Sequence, residues 1–137
     1  MPPLPHFTAT CLHSEDMGDY HLLSLADDED DPRDYLIFQR AHEFTEQDIR
    51  LGMNAVHVER NDQGWSGYGG LERVILRRDS LELELNEQGS RFMGGVQAMR
   101  VSFDFSSADF ACLCKGLRVC FAGFAYFEDR TLVDEAG

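Results

Sequence analysis

The chain has 137 residues, with 25 acids against 12 basic residues and a formal net charge of −13. That balance excludes a nucleic-acid phosphate binder and an anionic membrane surface as partner, since both need basic patches. The length suits one domain, residues 1–137, whose hydrophobic fraction of 43% can fill one core. No stretch reaches the roughly 18 apolar residues of a membrane helix.

Residues 1–5 carry three prolines and should form a loose arm. A basic region followed by an apolar run is missing at this end, so no secretory signal is expected and a cytoplasmic location is. Residues 6–13 alternate weakly through Phe7, Ala9 and Cys11, which predicts a first strand. A turn over 14–18 leads to a second strand over 20–25, with Leu23 and Leu25 on one face. Asp27 to Pro32 then brings five acids and a proline. Such a run repels itself and stays exposed. It lacks the ligand spacing and turn glycine of a calcium loop. Asp28, Glu29 and Asp30 are therefore read as a landing site for a basic partner. Tyr35 to Ala41, YLIFQRA, is a central strand, and Thr45 with Asp48 caps a short helix that Gly52 ends.

Met53 to Arg78 is the most informative stretch. Val56 and Val58 mark one strand, and Val74, Ile75 and Leu76 another. Between them, Arg60 to Gly70 reads as a loop of eleven residues, where a simple hairpin needs about two to five. It holds four glycines, the only tryptophan (Trp65), Tyr68 and the polar trio Asn61, Asp62 and Gln63. Trp and Tyr are frequent contact anchors, so this looks like a positioned binding loop. The alternative is that both aromatics fold back to cap the sheet.

Leu81, Leu83 and Leu85 alternate with Glu82, Glu84 and Asn86, a strand with one dry and one wet face. Residues 87–95 suggest a short helical turn or irregular crossing. A strand over 97–105 places Met99, Val101, Phe103 and Phe105 inward. Ser106 and Ser107 open a helix with Asp109 near its positive end. Phe110, Leu113, Cys114, Leu117, Cys120 and Phe121 form its apolar stripe. The chain ends in an acidic tail, residues 128–137, expected to add a turn or fray. Cys112 and Cys114 point about 200° apart on that helix, and Cys114 and Cys120 are about 9 Å apart along it. With Cys11 they are read as reduced thiols, with no metal and no cofactor. The sum is an α+β class: a mainly antiparallel β-sheet of six to seven strands with one C-terminal helix packed on one face.

Catalysis finds little to work with. His57 and Glu59 share a strand face and could act as acid and base, or bind a metal with His42 or His21 as third ligand. No ligand motif of recognised spacing supports this, and the bland reading is a wet sheet face. Ser66 does not sit in a Gly-x-Ser-x-Gly elbow. The glycines of residues 67–70 enter a strand, whereas phosphate cradles enter a helix. The chain is therefore expected not to be an enzyme.

The segments YLIFQR, EQDIRLGMNAVHVERNDQ and SGYGGLERVILRRDSLELEL, in that order, resemble the Immunity protein 10 family of bacterial polymorphic toxin systems. The resemblance covers roughly residues 35–121 and leaves the acidic run outside. It implies a small, cytoplasmic, non-catalytic protein that binds and blocks a cognate toxin domain. On that reading Glu59, Asp62, Gln63, Trp65, Tyr68 and Glu72 contact the toxin, and Asp28, Glu29 and Asp30 match a basic surface. The competing function is a small-ligand module or small enzyme built on His57, Glu59 and the glycine-rich loop 60–70. An exposed first or second strand also offers an edge for a homodimer.

Overall fold

Residues 5–131 are described by the structure, a computed structural model. In chain order its elements are β1 (His6–Ala9), β2 (Cys11–Asp16), β3 (Tyr20–Ala26), β4 (Tyr35–Ala41), α1 (Glu46–Arg50), β5 (His57–Arg60), β6 (Asp62–Tyr68), β7 (Leu71–Leu76), β8 (Ser80–Leu85), α2 (Glu87–Phe92), β9 (Ala98–Phe103), α3 (Ser107–Cys120) and β10 (Phe127–Asp129). The class is α+β, as the sequence implies, but the described residues form ten strands in two sheets. One sheet is an antiparallel meander in the order β2-β3-β4-β5-β6. The other is mixed, in the order β1-β9-β8-β7-β10, with both edge strands parallel to their neighbours.

Three local features raise the strand count above six or seven. The expected strand over 6–13 breaks at Thr10, and its halves join different sheets. Thr10 is held at the break, where its N–H donates to the Ala26 carbonyl at 2.9 Å and its hydroxyl to the Asp27 carbonyl at 2.9 Å. Most of the expected loop over 60–70 is strand β6. Part of the expected tail is strand β10, where Glu128 takes a bidentate pair from Arg73 and Thr131 folds back on Asp129. Tail residues 132–137 and arm residues 1–4 lie outside the described residues. Pro5 is not loose, because its carbonyl accepts from the Arg100 N–H at 2.9 Å.

Alternation decides which face of each strand is dry. Leu23 and Leu25 of β3, Leu36 and Phe38 of β4 and Val58 of β5 are fully buried on one side of the meander. Val74 and Leu76, Leu81 and Leu83, and Val101 do the same for the mixed sheet, and all join one core. Helix α3 adds Leu113, Leu117 and Cys120 to that core. Its Gly116 lets it approach the meander closely. A Cβ there would lie 2.5 Å from Ser14 Oγ and 2.6 Å from Leu23 Cδ1. Ser106 caps the start of α3 by accepting from the Asp109 N–H at 3.2 Å. At its end, Arg40 of β4 donates to the carbonyls of Cys120 and Ala122 at 3.2 and 2.9 Å, where the last turn leaves carbonyls unpaired. No helix among the described residues is long and apolar enough to cross a membrane.

Candidate protein-binding face

With one side of the meander in the core, the other side faces out. Its register sets the surface in cross-strand rows. One row is His13, Ser24, Ile37, Glu59 and Ser66, and the next is Glu15, Leu22, Gln39, His57 and Tyr68. Cys11, Ala26 and Tyr35 form a third row. All of these side chains are half-buried or exposed, whereas the rows between them supply the buried core.

Polar contacts order this face. The Tyr35 hydroxyl donates to Glu59 Oε2 at 2.5 Å. Burial and the adjacent carboxylate push the Tyr35 hydroxyl up to about 12, so it stays a donor at neutral pH. The His57 ring meets Tyr68 edge-on, with centroids 4.8 Å apart. Burial holds His57 below its ordinary 6.5, with the Glu59 charge opposing, and its Nδ1 is buried without a hydrogen-bond partner. Glu59 is thus engaged by a tyrosine and His57 by ring packing, which suits a contact surface better than an acid–base pair. His21 and His42 do not complete a metal site with them. His21 lies on the opposite side of the sheet, bonded to Ser14 Oγ at 2.8 Å, and His42 pairs with Asp16 at 2.8 Å. Among the described residues no group of three His, Cys, Asp or Glu side chains is placed to hold a metal.

The stretch over 60–70 is not a loop. β5 and β6 pair directly, with Arg60 opposite Asp62 and Asn61 at the apex in a left-handed conformation (φ 59°). Asparagine tolerates that geometry better than most residues. Here its side chain accepts from the Tyr35 N–H at 2.8 Å and donates to Asp34 at 2.9 Å, which ties the hairpin tip to the start of β4. The glycines carry the chain from one sheet to the other. Gly69 and Gly70 have φ of 71° and 81°. Gly67 and Gly70 lie so close to the Phe92 ring that a Cβ on either would come within 2.6 Å of it.

The proposed contact residues divide accordingly. Glu59 and Tyr68 share the outer face of the meander. Asp28 and Glu29 stand at one end of it, along a groove of about 660 Å³. Asp30 is exposed in the same loop, where its N–H and that of Asp31 donate to Asp28 Oδ1 and hold the Asp28 carboxyl below its usual range. Trp65 alternates to the other side of β6. It stacks on the Arg60 guanidinium at 4.8 Å, packs against Gly94 and remains 40% exposed. Asp62 turns back to accept from the Gly64 N–H at 2.7 Å. Gln63 lies in β6, and its side chain is outside the described residues. Glu72 belongs to the mixed sheet and is not part of this face.

Sequence reasoning overlooked Tyr35, Ile37 and Leu22. The signal was present in YLIFQRA, whose alternate positions must point away from Leu36 and Phe38. Treating the whole run as core hid it.

The family model of Immunity protein 10 matches residues 7–111. That span takes in β1 to β3 and the acidic run, which the resemblance over 35–121 had left out, and it stops within α3. Comparison with curated proteins and with solved structures returned no match. A match over most of the chain, taking in the whole meander and all of the mixed sheet but its edges at His6 and β10, shows that the chain belongs to the Immunity protein 10 family.

Proposed function

We propose that this protein neutralises one cognate toxin domain in the bacterial cytoplasm by binding it one-to-one and occluding it, without catalysis. The observation that carries this reading is the family match over residues 7–111. The outer face of the meander supports it physically. Tyr68, Tyr35 and His57 offer aromatic area at low entropic cost, and Glu59 is already oriented by its tyrosine. Trp65, on the hairpin's other side, would meet only a partner that wraps around β6. The acidic balance suits a basic toxin surface, so affinity should fall as salt rises.

Co-expression tests the role. A toxin domain encoded beside the gene for this chain is sought and placed in a bacterial host, with and without this chain. Growth arrest relieved only by this chain supports the reading. Toxicity that this chain cannot relieve rejects it. A salt-insensitive affinity would remove the electrostatic contribution and leave the immunity role standing.

A further inference from the structure

The groove at one end of the meander's outer face has a floor of Ser24, Ala26, Tyr35 and Ile37. Its rim carries Asp28 and Glu29 from the β3–β4 loop and Asp109 from the first turn of α3. No lysine or arginine is among its lining residues. A floor that offers Ala26 and Ile37 beside the Ser24 and Tyr35 hydroxyls, with acidic walls, complements a side chain that is aliphatic along its stem and cationic at its head.

The rest of the molecule sharpens that contrast. Residues 1–51 hold 12 of the 25 acids but only 3 of the 12 basic residues. On the mixed sheet, by contrast, Arg73, Arg100 and Arg130 pair with Glu82 and Glu128 at 2.7–2.9 Å, so those two acids are neutralised locally. The groove loop is also already ordered. Asp27 Oδ1 accepts from the N–H groups of Arg33 and Asp34 at 3.0 and 3.3 Å, and the Thr10 hydroxyl donates to the Asp27 carbonyl. A partner would not have to order this loop on binding, which removes one opposing term.

We infer that this groove receives a lysine or arginine side chain from a basic surface of the protein partner, its stem on Ala26 and Ile37 and its head between Asp28 and Glu29. This rests on the toxin-binding reading for the partner's identity, but not for the chemistry of the groove. A second copy of the chain is a poor occupant, because it would bring its own acidic face against this one.

Two measurements test it. The first needs no toxin: N-acetylarginine amide is titrated into the labelled protein at millimolar concentrations and amide shifts are followed by NMR. Saturable shifts confined to Ser24, Ala26, Tyr35, Ile37 and the Asp28–Glu29 loop support the site. Shifts spread equally over Glu46, Asp48 and Asp62, or no shifts, overturn it. The second uses the toxin domain from the co-expression assay. The double variant Asp28→Lys with Glu29→Lys, and separately Ile37→Arg, should weaken its Kd by about 30-fold or more. Glu46→Lys should bind as wild type does. Circular dichroism and thermal melts establish that each variant is folded. Groove variants that stay within about threefold of wild type would refute the proposal, as would a dimer that dissociates on Ile37→Arg. If the wild-type chain fails to bind the toxin, the immunity reading falls and the arginine titration still decides the groove.

Discussion

Replacing the crossover glycines one at a time by alanine should separate two physical effects. Gly69 has φ of 71° but no clash, the nearest atom to a new Cβ being Ala55 Cβ in ordinary contact at 3.8 Å. Its cost is left-handed strain alone, about 1–2 kcal/mol. Gly67 has no such strain, but its Cβ would sit 2.6 Å from Phe92 Cδ2. Overpacking of that kind costs about 1–3 kcal/mol, and the ring can yield. Gly70 combines both effects, with φ of 81° and a Cβ 2.6 Å from Gly89 Cα as well as 2.6 Å from Phe92 Cζ. Backbone cannot swing away as a ring can, so Gly70→Ala should cost about 2–5 kcal/mol. Loss of unfolded-chain entropy offsets about 0.4–1 kcal/mol in each case. Against a total stability of about 5–15 kcal/mol, Gly70→Ala alone could halve the margin. Urea denaturation at constant m-value gives the order directly. Phe92→Leu in the Gly67→Ala background should recover part of that loss. If Gly70→Ala proved no worse than Gly69→Ala, the close approach of Gly70 to Gly89 of α2 would carry no measurable cost.

Arg40→Ala should lower stability by about 1–2 kcal/mol in the same assay, because it frees the carbonyls at the end of α3. Arg40→Lys should recover little of it, since a single ammonium cannot reproduce a guanidinium stacked between Phe44 and Phe124. In the native protein, iodoacetamide should label exposed Cys112 and spare Cys120, whose thiol burial pushes up to about 12; mass spectrometry reads this, and labelling of Cys120 at the rate of Cys112 would contradict its burial. His57 is held below its ordinary 6.5, so the unfolded chain takes up its proton first. Its contribution to stability is therefore complete above about 6.5 and declines as pH falls toward the lower folded value. Thermal melts should show a shallower loss below pH ~6.5 in His57→Gln than in wild type, and parallel curves would refute the assignment.

Periodicity revealed the core almost residue by residue. Leu81, Leu83 and Leu85, the 99–103 alternation and the α3 stripe all point inward as the pattern requires. Division into two sheets was hidden, because a break at one threonine leaves no mark in the hydrophobic pattern. Residues 60–70 misled for a related reason. Four glycines and a run of polar residues read as a loop, yet here the glycines answer to the Phe92 ring and a change of sheet, neither visible from local sequence. The candidate face was recoverable only in part. Glu59 and Tyr68 do lie together, but Trp65 alternates away from Tyr68, and that parity follows from β6 being a strand.

Because the strand breaks at Thr10, β1 precedes the meander in sequence yet can pair only once β9 has been made. His6 and Ser102, bonded side chain to side chain at 2.7 Å, are 96 residues apart in sequence. The meander, by contrast, pairs only neighbouring strands and is complete by Tyr68. Closing the longer span carries the larger loss of chain entropy, so β1 is expected to dock after the meander has formed. Truncating Leu25 or Phe38 should then slow folding, whereas truncating Phe7 or Val101 should mainly speed unfolding. The reverse pattern in a chevron series would reject this order. On a ribosome the consequence is spatial: all five meander strands can leave the exit tunnel before β9 and α3 do.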